Sequence, residues 1–479
     1  MAMRSGFLLR ASILFMLVIV LVKITSIIFH SAMKACFINP PIQDFYYTSI
    51  RRQPLGLLYI MSSLESAGFE VSFINSHSLK KHAIPLPEEF SYLVKYMKSS
   101  DPALSFPFRH YSHFGLSFAE IGQRIKRSDA DIFFIPSLFT PYYQETDRVI
   151  AMVREERPEA FIVVGGYHAS LYPEYYLRDC ADFVIQGEGE EGAVALLRCL
   201  EADADLSQVQ NLIRRDGRRI VRNERRVVAD IDRLPHPARR FLAPRDFKAY
   251  RTRAASIITS RGCPNRCTFC TSRVIWGPER RERSVDSVLA EIRECVESLG
   301  VTMINFEDDN IFASESRAAA LLEGLAAYQR QAGTRLDLTA MNGVSLEEIG
   351  EGIVKLMRRA GFRELNISLM SRSPELQEKH ARPFDSAQFA RIARAGQSLG
   401  MNVRAYFILG LPGQTRDEVR DTIEFLKRLG VSIFPSVYYN VNAPQSRWKM
   451  QRSSAFYNET AELSRDDLVR LFNECRMSW

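Results

Sequence analysis

From Ala254 onward, short apolar runs alternate with longer stretches in which apolar residues recur every three or four positions. The runs Ala255–Thr259, Val301–Phe306, Leu336–Ala340, Leu365–Leu369, Val403–Ile408 and Ile433–Tyr438 predict strands. Between them, Ser284–Leu299, Ser314–Gln331, Glu347–Ala360, Ser386–Leu399 and Arg416–Leu429 predict helices. Six such units imply a partial (β/α)6 barrel over residues 254–445, open along one side. In barrels the chemistry sits at the carboxyl ends of the strands and in the loops that follow.

A second α/β pattern runs over residues 33–202. Lys34–Asn39 predicts a strand ended by Pro40 and Pro41. Pro54–Ala67 has a helical spacing of Leu57, Leu58, Ile60, Met61 and Leu64, stopped by Gly68. Phe69–Asn75 and Asp131–Pro136 predict strands, and Ala119–Lys126 and Thr146–Glu156 predict helices. Ala160–Gly166 is almost purely apolar and ends in two glycines, as in a buried parallel strand whose carboxyl end meets a ligand. Strands alternating with helices predict a doubly wound sheet. The insert from His77 to Gly115 is longer than an ordinary connection and is expected to cover a cofactor or the substrate. Residues 203–253 are expected to be an Arg-rich linker with a solvated face and a small hairpin turning at Asp216-Gly217. Residues 446–479 predict a polar extension with a helix over Ser464–Phe472.

Residues 1–32 differ from the rest. Ala11–Val22 is apolar, Lys23 interrupts, and Ile24–Phe29 resumes. The stretch 7–29 is either a membrane anchor or an extension ahead of a natural start at Met33, because the lysine breaks the run of about 20 apolar residues that a span prefers. A signal peptide ranks third, since no small-x-small cleavage site is clean.

Composition narrows the class. With 479 residues, 46% of them apolar and 25% charged, the chain has the make-up of a globular protein of two or three domains. The net charge of +7 is not gathered into Lys/Arg blocks or interleaved with aromatics, so a nucleic-acid partner is not expected. Eight cysteines do not make a disulfide scaffold, and a cytoplasmic, reducing setting follows from the three that cluster.

Those three are Cys263, Cys267 and Cys270, in Arg261-Gly-Cys-Pro-Asn-Arg-Cys-Thr-Phe-Cys270. The spacing C-x3-C-x2-C lets one loop curl over three corners of a cubane iron–sulfur cluster, and thiolates are the ligands that such clusters select. No fourth cysteine follows until Cys295, so one iron is left open. A zinc knuckle is the competing structure, but a closed zinc site wants four ligands and no Cys or His stands at a suitable interval.

The cysteine run resembles that of the radical S-adenosylmethionine (SAM) enzymes, including the aromatic Phe269 before the last cysteine. In that family the open iron of a [4Fe–4S] cluster chelates SAM, whose reductive cleavage gives a 5′-deoxyadenosyl radical. The stretches Pro54-Leu-Gly-Leu-Leu-Tyr59, Val164-Gly-Gly-Tyr-His-Ala-Ser170 and Gly187-Glu-Gly-Glu190 resemble the N-terminal cobalamin-binding domain of B12-dependent members. The fold implied is an N-terminal doubly wound cobalamin-binding-like domain followed by a radical SAM barrel. The resemblance assigns Ser137 and Thr140, with Gly165 and Gly166, to cobalamin. The Asp-x-His-x-x-Gly motif that supplies a lower cobalt ligand is absent, as is common in this group. His110 and His113 are out of register for it.

Within the barrel the resemblance assigns Asp308 and Asp309 to the amino or ribose groups of SAM. Arg382 is assigned to its carboxylate, and Gly410 and Gly413 to adenine. Ser368 and Asn342 are further polar candidates, and Asp308, Asp309 and Thr415 are also good helix caps. Tyr438, Tyr439 and Asn440 are expected to line the substrate pocket. No residue is assigned as the catalytic acid or base. The activity implied is methylation of an unactivated carbon using a low-potential, flavodoxin- or ferredoxin-like electron donor, on a small-molecule, lipid or natural-product substrate. The alternatives are a radical SAM cyclase, oxidase or ring-rearranging enzyme without methyl transfer, a redox protein using the cluster alone, and a non-catalytic binding protein.

Overall fold

In a computed structural model that describes residues 33–46, 52–178, 181–249, 251–312, 314–347 and 349–476, the apolar runs of the first half become one sheet. The expected anchor at residues 7–29 lies outside the described residues. Among the described ones no helix is long and apolar enough to cross a membrane. The elements in chain order are β1 (Lys34–Asn39), α1 (Leu55–Ser66), β2 (Glu70–Asn75), α2 (Phe118–Arg127), β3 (Ile132–Pro136) and α3 (Tyr143–Glu156). They continue with β4 (Phe161–Gly165), α4 (Tyr167–Leu171), β5 (Phe183–Ile185), α5 (Glu190–Glu201), β6 (Leu212–Asp216) and β7 (Arg219–Arg222).

The strand order is β7-β6-β5-β4-β3-β1-β2, with β2, β1, β3, β4 and β5 parallel. β1 and β3 are apolar on both faces because helices cover both sides of the sheet. Leu58 and Leu64 of α1 and Leu196 of α5 pack in a core shared with the barrel. Ile121 of α2 and Val149 of α3 pack in a separate core on the opposite face. The order reverses between β1 and β3, and a doubly wound sheet binds ligands outside the carboxyl ends at such a switch.

The predicted hairpin forms, but it is not part of a linker. β6 pairs antiparallel with β5 and β7 with β6, so the sheet continues to Arg222 rather than stopping near residue 202. Leu212 and Ile213 drive this, covering the edge of β5 with buried apolar side chains. Nor is every arginine of 203–253 solvated. Arg239 is buried, donating to Glu291 at 2.6 Å and to the carbonyl of Ser256 at 2.7 Å.

The second half follows the predicted strands closely: β8 (Thr252–Ile257), α6 (Ser272–Trp276), α7 (Val285–Leu299), β9 (Met303–Phe306), α8 (Glu315–Ala332), β10 (Asp337–Thr339) and α9 (Glu351–Ala360). Then come β11 (Glu364–Ser368), α10 (Ser386–Ser398), β12 (Asn402–Leu409), α11 (Arg416–Arg428), β13 (Ser432–Val437) and a terminal helix, α12 (Arg465–Arg476). β8, β9 and β10 form one parallel set and β11, β12 and β13 another. Parallel bridges Leu338–Phe362 and Val344–Ile367 join the two sets into a curved, six-stranded partial barrel. Ser284 and Ser314 cap α7 and α8 through their hydroxyls, and Thr415 with Glu418 forms a capping box on α11.

The insert after β2 is a buttress rather than a loose cover. Its Phe90, Phe106 and Tyr111 pack around Phe45 with ring centroids 5.0–5.5 Å apart. His113 is buried there and pairs with the Leu116 carbonyl at 2.7 Å. The insert meets the C-terminal extension, Tyr92 donating to the Ala455 carbonyl at 2.9 Å and Asn473 to that of Ser105 at 2.9 Å. Arg452 from the same extension is buried against Asp44, at 3.2 Å, and donates to the Pro141 carbonyl at 2.7 Å. Trp448 fits among His168, Tyr172 and Tyr175, with centroids 4.5–5.1 Å apart.

Candidate active site

The cysteine loop leaves β8 at the carboxyl end of the barrel. A short ribbon, Ser260–Arg261 against Arg281–Glu282, closes its neck, so all three cysteines lie on the excursion between the two ribbon strands. Burial raises the three thiols above their ordinary range. Asp309 adds to this at Cys263 and Cys270, while the Arg382 guanidinium pulls Cys263 and Cys267 back down. Thiols that sense one another on a single loop, with a nearby cation to favour thiolate, suit the soft donor set of an iron–sulfur cluster. Among the described residues no three His, Cys, Asp or Glu side chains converge on a single-ion position.

Asp308 and Asp309 are adjacent but do different work. Asp308 is 2% exposed and turned into the protein. It accepts from the backbone N–H of Thr259 at 3.1 Å, from the Thr259 hydroxyl at 2.8 Å and from the Ser260 hydroxyl. Its carboxylate fixes the start of the cysteine loop. Asp309 is half-buried and accepts from Ser272 of α6 at 2.6 Å, and burial raises its carboxyl. It is the acid that faces the cysteines. Asn342 donates to the carbonyls of Glu307 and Asp308 at 3.0 and 3.1 Å, which makes it a brace for this loop.

Arg382 and Ser368 meet. Arg382 donates to Ser345 at 3.2 Å and Ser368 at 3.5 Å and pairs with Glu347 at 3.5 Å. Together they line a cavity of roughly 250 Å³ with Gln377, Asp385 and Gln388. The glycine loop is different. Its backbone N–H groups at Gly410 and Leu411 are taken by the buried side chain of Gln414, at 2.7 and 3.3 Å. A Cβ at Gly410 would meet Leu468 of α12 at 2.8 Å, and one at Gly413 would meet the Lys379 ammonium at 2.7 Å. The missing side chains make room for Leu468 and Lys379.

In the first domain, the carboxyl ends of β3 and β4 are stitched together. Ser137 N–H donates to Gly165 O at 2.8 Å, His168 N–H to Ser137 O at 3.0 Å, and the hydroxyls of Ser137 and Tyr176 meet at 2.7 Å. Thr140 pairs with His168 Nδ1 at 3.2 Å, and burial pushes the imidazole down to about 3. Ser137 and Thr140 are both buried and help build the loop. Gly166 sits at φ 98° and ψ −178°. Phe139, between the two, is 56% exposed at the strand ends, and Tyr439 at the end of β13 is 41% exposed. Val441, two residues on, accepts from Tyr172 of the first domain at 2.7 Å. Exposed aromatic faces beside this switch point suit a large flat macrocycle such as a corrin.

The two halves meet at the cysteine loop. α4, which follows Gly165-Gly166, packs on α6, which follows Cys270. Burial, and then the proximity of Asp309 and Cys270, hold the Tyr167 phenol well above its usual range. Arg261 crosses from the cysteine loop to Glu188 and Glu190 at 2.9 and 2.5 Å. Tyr167, Ser272, Arg261 and these two glutamates were not among the sequence candidates. The only signal was an arginine two residues before the first cysteine and two glutamates in a recognised motif.

Comparison with known proteins agrees with this arrangement. Residues 257–426 match the radical SAM superfamily and residues 110–197 a B12 binding domain. An uncharacterised methyltransferase of Pyrococcus horikoshii is 29% identical over 320 residues, covering 66% of this chain and 68% of that one. The cytidylyl-2-hydroxyethylphosphonate methyltransferase of Streptomyces wedmorensis is 25% identical over 439 residues, 83% of this chain and 78% of its own. Among solved structures, the radical SAM methyltransferase TsrM from Kitasatospora setae, with cobalamin and a [4Fe–4S] cluster bound, superposes with a TM-score of 0.64. It is 18% identical, over 85% of this chain and 72% of TsrM.

Proposed function

Since the chain belongs to the radical SAM enzymes that carry a B12-binding domain, we propose that it is a methyltransferase acting on an unactivated carbon. The observation that carries this reading is the docking of α4, at the Gly165-Gly166 strand end, against α6, directly after Cys270. One cleft then serves both cofactors. Cys263, Cys267 and Cys270 would hold the cluster, Asp309 and the Arg382–Ser368 pair would orient SAM, and Phe139 would lie under the corrin. Bound there, the cluster and cobalamin supply SAM cleavage to a radical and methyl transfer, chemistry that side chains alone do not provide. The protein's part is to hold these groups in register, to brace the Asp308–Asn310 loop through Asn342, and to exclude water behind Trp448 and the insert.

The substrate class stays broad: a small molecule, a lipid or a natural product. We take a flavodoxin- or ferredoxin-like protein as the electron source, and we take attachment through residues 7–29 as the route to any membrane-borne substrate. The test is anaerobic reconstitution with iron, sulfide and hydroxocobalamin, followed by mass spectrometry of the SAM products. Methyl transfer requires S-adenosylhomocysteine as well as 5′-deoxyadenosine, with corrin retained on the protein. Formation of 5′-deoxyadenosine alone, with no corrin retained, would replace this reading with a cyclase or oxidase.

A further inference from the structure

The cysteine loop is held shut by the other domain. Its ribbon neck pairs Arg261 directly with Arg281 across two antiparallel strands. Like charges opposite one another repel, and the more so when buried. Here Glu188 lies between them, taking Arg261 Nη1 on one oxygen at 2.9 Å and Arg281 Nη1 on the other at 2.8 Å. Glu190 takes the second nitrogen of Arg261 at 2.5 Å. The Arg261 guanidinium is further held by the rings of Tyr59 and Trp276, whose centroids are 5.2 and 5.1 Å away. Glu188 and Glu190 are both buried, Glu188 in the loop after β5 and Glu190 at the first position of α5, so the neck of the cysteine loop is closed by the B12-binding domain.

We propose that Glu188 and Glu190 are positioning residues for the cysteine loop: acting through Arg261 and Arg281, they let the B12-binding domain set where Cys263, Cys267 and Cys270 stand. This rests on those cysteines being the cluster ligands. Removing the two negative charges leaves opposed cations in the neck, which opens, and the thiols lose their common orientation. Residues in the shell around metal ligands commonly act in this way.

Two measurements on the full chain test it, using the double variant Glu188→Gln/Glu190→Gln. As a control, Glu364→Gln loses an ion pair to Arg404 at the far end of the barrel strands. Without any cluster, peptide-level mass spectrometry follows alkylation of the three thiols; the double variant reacts faster at Cys263, Cys267 and Cys270, and the control does not. After reconstitution, iron is lost to a chelator about 10- to 100-fold faster in the double variant, with a changed EPR spectrum of the reduced cluster. Arg261→Lys, which keeps the charge but not the two-pronged contact, is expected to fall between. Unchanged alkylation in the double variant would overturn the proposal. So would a rise that merely tracks a lowered melting temperature and recurs in the control. A folded parent that takes up no cluster would sink the functional reading instead, while the alkylation result would still decide the clamp.

Discussion

Gly166 offers a sharp test of the strand-end loop, by comparison with the glycine beside it. At φ 98° and ψ −178° it occupies backbone space that is essentially glycine's alone, and an alanine there costs about 1–3 kcal/mol. The added Cβ would stand 2.8 Å from the carbonyl oxygen of Ser137, which also accepts from His168 N–H and so has little freedom to retreat. Overpacking of this kind adds about 1–3 kcal/mol. Gly166→Ala is therefore expected to destabilise the cofactor-free protein by about 2–5 kcal/mol. Gly165 is the control: its φ is not positive, and its Cβ would reach only to 3.4 Å from Ile185 O. Gly165→Ala should stay within about 1 kcal/mol of the parent. Urea-induced unfolding measures both, and visible absorbance of the purified proteins measures retained corrin, which should fall in Gly166→Ala. Equal midpoints and equal corrin in the two variants would show that the stitching of Ser137, Gly165 and His168 does not shape the site.

The adjacent acids should separate cleanly. Asp308→Asn turns an amide toward groups that all donate to it, and should cost about 2–3 kcal/mol of stability. Asp309→Asn should leave the unfolding midpoint near the parent's while lowering 5′-deoxyadenosine formation, and the opposite pattern would reverse the roles assigned to them. Burial raises the Asp147 carboxyl from its ordinary 3.8 to about 6, opposed by the hydroxyl of Tyr175, which donates to it at 2.5 Å. Because the folded value is the higher one, its favourable contribution is complete below the unfolded value and is lost as pH rises through about 6. Asp147→Asn should therefore stabilise by about 1–3 kcal/mol at pH 7.5 and by much less at pH 4.5. Melting curves at the two pH values check this, and a gain independent of pH would refute it.

Periodicity carried the architecture because most elements make their own case. β12 alternates buried and half-buried positions, and α11 brings its own capping box, so neither needs a partner to be recognised. β6 was harder: Leu212 and Ile213 among arginines look like a linker until β5 offers an edge to cover. The cysteines were legible because their spacing is itself the chemistry. Asp308 was not, since a carboxylate facing Thr259 and Ser260 has the same sequence signature as one facing a ligand. The protein contacts of Ser137, Thr140 and Gly410 were hidden for a related reason. A motif states which residues a loop needs, and here the loop needs them for its own construction. The clamp on Arg261 joins positions 71 and 73 residues apart, and no local pattern announces a pairing at that range.

The return of the C-terminal extension to the first domain bears on how the molecule is made. Trp448 fills the box around His168, and Arg452 neutralises Asp44. Until residues 446–476 have left the ribosome, the B12-binding domain, which emerges before the barrel, has an unfilled aromatic hollow and a buried acid without its cation. Domains usually fold in order of synthesis. This one is left waiting for residues 446–476, with apolar surface open to chaperones in the meantime. Chains cut at the limits of the two domain matches would be halves that never receive their closing piece, whereas in the whole chain residues 446–476 seal the first domain.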